Sequence, residues 1–287
     1  MQIDFVSRYV ERHVPLSCRK NHERLELRQV AECVFHATIF LVGLSLGSFL
    51  NVVIHRGPTM WGLVDGPARG NLASPRSHCI KCQTPLKAVN LIPLASYLAQ
   101  RGRCTHCHVK ISVRYPIVET MGGASALLSV AAFGWTPAAL GASIFALALI
   151  ALAFIDAETG YLPDAITLPL ASAGIAANAF SLFTSLSDAI VGAAAGFILF
   201  WTISEVYVRV RRREGLGLGD AKLLAAIGAW VGWQPLPIVV FLAALGTLIF
   251  VALRRGASAD EAIPFGPGLC AAGFCVFFLG ERLLSAL

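Results

Sequence analysis

The chain has 287 residues, 56% of them hydrophobic and 14% charged, with a mean hydropathy of +0.68, whereas soluble domains carry about 25% charged residues. That balance excludes a soluble single-core protein and intrinsic disorder, and the Gly and Pro scattered through the apolar stretches exclude a coiled coil. A formal charge of +6 would suggest nucleic acid in a soluble chain; here it bears on which loops stay cytoplasmic, and no nucleic-acid partner is expected.

Residues 1–33 form a polar tail with Arg8, Arg12, Arg19, Lys20, Arg24 and Arg28 and no signal-peptide pattern, so the first apolar segment is expected to stay as an anchor in the bilayer. Uncharged stretches follow at Val34–Ile54, Thr120–Ile155, Ala165–Ser187, Ala189–Ser204, Leu223–Leu253 and Ile263–Gly280. Thr120–Ile155 and Leu223–Leu253 are too long for one crossing. Gly134-Trp135-Thr136-Pro137 breaks the first and Gln234-Pro235-Leu236-Pro237 the second, so each reads as a helical hairpin. The expectation is an all-α polytopic membrane protein of about eight transmembrane helices. The spans are rich in Ala, Gly and Ser, which permits close helix contact where lipid supplies no hydrophobic drive.

The domain plan is then a tail at 1–33, a first transmembrane helix at 34–54, a soluble loop module at 55–116 and a seven-helix membrane domain at 117–287. Lys and Arg concentrate in His55–Pro116, in Arg209–Arg213 and at Arg254-Arg255, all on one side if eight helices alternate. By the positive-inside tendency that side is cytoplasmic, with both termini opposite, although the basic tail argues against its own export.

Within the loop module, Cys79-Ile80-Lys81-Cys82 and Cys104-Thr105-His106-Cys107 form two C-x-x-C knuckles separated by 21 residues, the pattern of a four-thiolate zinc site. Redox pairing is the competitor for either knuckle alone, but disulfides are disfavoured in cytoplasm. Four thiolates complete a tetrahedron, so His78, His106 and His108 read as solvated neighbours. Metal binding is expected to supply the module's folding energy, on the order of 10 kcal/mol. Cys18, Cys33, Cys270 and Cys275 lack ligand spacing, and the last two read as small hydrophobes.

A carboxylate at the centre of a bilayer helix costs roughly 2.5–3.5 kcal/mol, so Asp156, Glu158, Asp164 and Asp220 stand out. Asp156 ends the third span and Asp220 opens the sixth. Two crossings lie between them, which returns the chain to the same face and lets the two carboxylates meet. Each alone could be a helix-end carboxylate at the interface. Gly215, Gly217 and Gly219 alternate just before Asp220, where small residues let backbone unwind and an extended substrate approach. Strand and G-x-x-x-x-G-K-[ST] spacing for a phosphate loop are absent. Asp164, with Thr167 three residues on, reads as the N-cap of the fourth helix, and Glu158 as interfacial.

These residues together resemble the bacterial prepilin peptidases, the GxGD-type leader peptidases and N-methyltransferases of type IV pilus and type II secretion systems. The matching residues are Gly47-Ser48-Phe49-Leu50-Asn51-Val52-Val53-Ile54, the two knuckles, Asn90-Leu91-Ile92-Pro93-Leu94, Ser96-Tyr97-Leu98, Arg101-Gly102-Arg103-Cys104 and Arg114-Tyr115-Pro116. Asp156, Leu162-Pro163-Asp164, Gly217-Leu218-Gly219-Asp220, Lys222-Leu223 and Pro264-Phe265-Gly266-Pro267 complete the set, from about Gly47 to Pro267. Gly-x-Gly-Asp alone is weak; its combination with the cysteine module is specific. The tail is longer than the family pattern, and the stretch before the first knuckle is shorter than in some members.

The resemblance implies an aspartic endopeptidase of the bacterial inner membrane with catalytic Asp156 and Asp220. It would cut a short basic leader from prepilins and pseudopilins after glycine at the cytoplasmic face. It also implies transfer of a methyl group from S-adenosylmethionine to the new N-terminus, for which the residues offer no sign of their own, since no Rossmann-type glycine loop is present. Rival readings are a transporter or a structural secretion subunit with a zinc-stabilised loop. A transporter predicts charges deep in the helices or broken helices in pseudo-symmetric halves, and neither is evident.

Overall fold

The computed structural model describes residues 16–66, 69–211, 217–253 and 264–284. The expected readings at the start of the tail, at Gly215, at Arg212–Arg213 and at Arg254-Arg255 lie outside the described residues. In chain order the helices are α1 (Leu16–Met60), a 3-10 turn (Ala88–Leu91), α2 (Ala95–Ala99), α3 (Arg114–Phe133), α4 (Pro137–Thr159), α5 (Asp164–Ala179), α6 (Leu186–Arg211), α7 (Leu218–Val231), α8 (Leu236–Leu253) and α9 (Gly266–Leu284). No strand occurs among the described residues, so the architecture is all-α and polytopic.

Each apolar segment coincides with a helix, and both expected breaks occur. Gly134 ends α3 at φ 65° and Pro137 opens α4, where its missing N–H costs nothing. Gly232 ends α7 at φ 80° before α8. Five stretches are long and apolar enough to cross a membrane: Arg28–Met60, Arg114–Phe133, Pro137–Thr159, Leu186–Val210 and Leu236–Leu253. At 1.5 Å per residue, the 16 residues of α5 and 14 of α7 rise only about 24 and 21 Å, less than the roughly 30 Å of a hydrocarbon core. The apolar part of α9, Gly266–Gly280, is also short.

The shortness of α7 has a packing explanation. Ala221, Leu223, Leu224, Ala226, Ile227, Gly228, Ala229 and Trp230 are all buried, so α7 is enclosed on every side by α5, α6, α8 and α9, as befits a helix that is apolar all round. Its approach to α6 is possible only because both helices carry glycine there. A Cβ at Gly192 would stand 2.4 Å from the Gly228 carbonyl oxygen, and one at Gly228 2.3 Å from that of Gly192. The main core joins Phe145, Leu149 and Leu152 of α4 to Leu224, Ile227 and Trp230 of α7 and Leu269 and Val276 of α9.

Trp230 donates its indole N–H to the Leu170 carbonyl at 2.9 Å, which satisfies its one polar atom inside this core. A smaller cluster of Ile54, Val118, Ile150, Ala151 and Ile155 locks α1, α3 and α4 together. Helix α4 thus belongs to both clusters and carries Asp156 at the end common to them.

Candidate active site and metal centre

Asp156 sits in the last turn of α4, 5% exposed. Gly160 ends that helix in the left-handed region (φ 71°), its N–H donating to the Asp156 carbonyl at 2.8 Å. Asp220 is in the first turn of α7, whose N-cap is Gly217, and its N–H donates to the Gly217 carbonyl at 3.1 Å. Both aspartates line one open pocket of about 730 Å3, together with Trp61, Leu63, Tyr161, Leu162 and Lys222. Asp156 Oδ2 is buried without a hydrogen-bond partner, and such an atom is rare unless a water, proton or ligand completes it. Trp61 and Leu63 follow directly on α1, so the pocket lies at the end of the bundle from which the loop module departs.

Two local expectations, those for Asp164 and Gly219, need correction. Asp164 is not the N-cap of α5: Pro163 holds that position with no side-chain cap, and Thr167 donates its hydroxyl to the Pro163 carbonyl. Asp164 is instead paired with Lys222, whose ammonium lies 2.7 Å from both carboxylate oxygens. Glu158 is held by Arg114 at 2.5 and 2.7 Å, which ties the end of α4 to the start of α3. Gly219 lies within α7 rather than in unwound chain, and its lack of a side chain serves packing: a Cβ there would stand 3.1 Å from Leu162 Cβ. Gly217 does keep open space beside Asp220, since the nearest atom to its ideal Cβ is Asp220 Oδ2 at 3.8 Å.

The Sγ atoms of Cys79, Cys82, Cys104 and Cys107 all lie within 4.8 Å of one another. The two knuckles are built alike. Cys79 donates its N–H to the Thr84 carbonyl and accepts from the Gln83 N–H; Cys104 does the same with Val109 and His108. Gln83 and His108 take φ 57° and 55°, the turn that folds each chain segment back over its cysteine pair. Zn–S bonds of about 2.3 Å in a tetrahedron require sulfurs about 3.8 Å apart, and Cys79 and Cys107 are 3.7 Å apart. The donor set therefore fits a tetrahedral thiolate-bound ion. Hydrogen bonding with Thr84 pulls the Cys82 thiol down to about 6, while burial and the neighbouring sulfurs push Cys107 up to about 11. None of the three histidines joins the cluster. Cys33 and Cys275 are exposed and stand apart, and Cys270 is buried in the main core.

Sequence reasoning gave no individual role to four residues that frame these sites, two of them, Asn51 and Gly266, inside the family-matching motifs. Glu119 of α3 is 8% exposed and accepts the Leu94 N–H at 2.9 Å, fastening the loop module to the bundle. Asn51 of α1 is 2% exposed and donates to the Tyr115 carbonyl at 3.1 Å. Arg56 is 6% exposed and donates to the Asn71 carbonyl at 2.8 Å. Polar residues within or at the edge of apolar helices were the available signal for all three. Gly266, the first residue of α9, carried no such signal, yet it lies against Asp156.

Residues 41–133 match the bacterial peptidase A24 N-terminal domain, and residues 143–252 the type IV leader peptidase family. The chain is similar to proteins named prepilin leader peptidase/N-methyltransferase. The one from Burkholderia pseudomallei is 44% identical over 263 residues, covering 85% of each chain. That from Aeromonas hydrophila is 42% identical over 283 residues, covering 90% of this chain and 96% of the relative. That from Neisseria gonorrhoeae is 39% identical over 262 residues, covering 86% and 91%. No solved structure matches the chain.

Proposed function

The chain belongs to the type IV leader peptidase family, and from that premise we propose that it removes the basic leader of prepilins and pseudopilins with Asp156 and Asp220 as a catalytic dyad. It then methylates the new N-terminus. The observation that carries the reading is the meeting of the two aspartates in one pocket, with Asp156 Oδ2 buried and unpartnered. Two carboxylates that act together on one scissile bond share a proton, because ionising both is costly. One carboxylate takes a proton from water as its oxygen attacks the scissile carbonyl carbon; the other gives its proton to the carbonyl oxygen. Collapse of the tetrahedral adduct breaks the C–N bond, and the amine leaves with a proton from the dyad. The pair titrates as one unit.

The reading extends to placement. Eight crossings, with the division at 33, 54 and 116, put the pocket and loop module at the cytoplasmic face of the bacterial inner membrane. The leader stays in the cytosol and the apolar part of the substrate lies among the helices. Zinc held by Cys79, Cys82, Cys104 and Cys107 would be structural, with no open position for chemistry. S-adenosylmethionine would supply an electrophilic methyl group, which the freed amine accepts in its neutral form, giving up a proton as the C–N bond forms.

Co-expression with a prepilin tests the peptidase. Wild type removes the leader, seen as a mobility shift, while Asp156→Asn and Asp220→Asn each abolish removal at normal membrane levels, since an amide neither shares a proton nor acts as base. Normal processing by either variant would exclude the dyad, and a transporter or structural subunit would process no prepilin at all. Mass spectrometry of the mature pilin tests the second activity: an unmodified amine on fully cleaved pilin leaves a peptidase only.

A further inference from the structure

Helix α9 begins at Gly266, and the space where a side chain would start is filled by Asp156. An ideal Cβ on Gly266 would lie 2.5 Å from Asp156 Oδ2, 2.8 Å from its Cγ and 3.2 Å from its Cβ, so its three nearest neighbours all belong to that one residue. Gly266 is the first residue of α9, and the positive end of a helix complements negative charge there. Pro267, next in line, has no N–H to offer. The first turn is anchored by the Leu269 N–H to the Phe265 carbonyl at 3.1 Å, and Phe265 itself packs on the main core.

Gly268, two residues on, makes a contrast. Its ideal Cβ would meet Thr247 Oγ1 at 2.4 Å and the Ala243 carbonyl oxygen at 3.0 Å, both on α8. The two glycines therefore serve different neighbours: Gly268 lets α9 pack on α8, whereas Gly266 lets backbone lie against a carboxylate.

We propose that Gly266 is a positioning residue for cleavage: its bare backbone forms the seat that receives Oδ2 and so fixes the orientation of the Asp156 carboxylate, leaving the other oxygen, Oδ1, as the one presented to the shared proton or attacking water. The proposal rests on the reading of Asp156 and Asp220 as the dyad. Any side chain at position 266 turns the carboxylate away from Asp220, and a displacement near 1 Å at a reacting group costs on the order of 100-fold in rate.

The test uses full-length protein in detergent or nanodiscs, a synthetic prepilin segment for cleavage and an already processed pilin segment for methyl transfer. Gly266→Ala lowers kcat for cleavage on the order of 100-fold at unchanged KM, while methyl transfer to the processed segment persists. Gly268→Ala, an equally tight substitution on the α8 side, lowers the melting temperature but leaves kcat per folded enzyme near wild type. Stability provides a second arm that survives poor folding of the single variant. Because the closest clash is with the Asp156 carboxylate, Gly266→Ala lowers the melting temperature more in the wild-type background than in the Asp156→Ala background, where only the 3.2 Å approach to Cβ remains.

Equal loss of stability in both backgrounds overturns the proposal. So does a kcat for Gly266→Ala within about twofold of wild type, or a parallel fall in cleavage and methyl transfer. The two readings fail separately. If Asp156→Asn still cleaves, the dyad is wrong; if Asp156→Asn is inactive and Gly266→Ala behaves as wild type, the seat alone is wrong.

Discussion

Replacing Cys104 by Ser should unfold the loop module while leaving the helical bundle intact. Between Trp61 and Val113 only Gly102 and Cys104 are buried among the described residues, so the module has almost no apolar core. Its remaining order comes from two isolated bridges, His78 with Pro85 and Arg103 with Lys110, and from the turn hydrogen bonds of each knuckle. Burying one cysteine contributes at most about 1–2 kcal/mol, whereas a structural zinc site contributes on the order of 10 kcal/mol. The metal term dominates by several-fold, so loss of one thiolate removes most of what holds the module.

Elemental analysis of purified protein should find about one zinc per chain in wild type and much less in Cys104→Ser. Hydrogen exchange should accelerate in peptides from the module, with α4 and α7 unchanged, and chelation of wild type should reproduce the effect. His78→Ala, His106→Ala and His108→Ala should each retain the metal. Full zinc content in a variant with Ser at all four positions would show that the ligands are elsewhere. A chelated protein whose module stays protected would show that the fold does not depend on metal.

Asp164→Asn should keep substantial cleavage activity, because its pairing with Lys222 is about half exposed and such pairs contribute at most about 1 kcal/mol; loss of activity matching Asp156→Asn would make Asp164 part of the machinery. Asn178→Ala should lower thermal stability without touching the chemistry of the folded fraction. Asn178 is fully buried, donates to the Ala229 carbonyl at 2.9 Å and accepts from the N–H groups of Phe183 and Thr184 at 3.1 and 3.0 Å. Stranding these groups costs about 2–4 kcal/mol, and an unchanged melting temperature would refute that cost. Reporter fusions after Gly102, Arg212 and Arg255 should all report cytoplasm; a periplasmic signal after Arg212 would put the aspartates' helix ends on opposite faces.

Family, fold class, the four cysteines and the two aspartates were legible in the sequence because each is written in short-range terms. A C-x-x-C knuckle closes within a few residues, a span is a run of apolar side chains, and a carboxylate at a helix end is conspicuous by its cost in lipid. Asp156 and Asp220 were expected on one face from a count of two crossings between them, and the fold does bring both to one pocket. Sequence also located the helical breaks at Gly134–Pro137 and near Pro235, where backbone chemistry alone stops a helix.

Tertiary structure decided what depends on partners distant in the chain. Asp164 looked like a helix cap by its neighbours, but Lys222, 58 residues away, holds it. Glu119 reaches a backbone N–H at Leu94. Helix α7 rises less than the thickness of a hydrocarbon core yet is surrounded by protein, where its glycines let α6 come close. Gly266 faces Asp156 only because α9 packs against α4. A glycine carries no side chain by which sequence could declare its neighbour, so what fills the space beside it is set by the packing of helices.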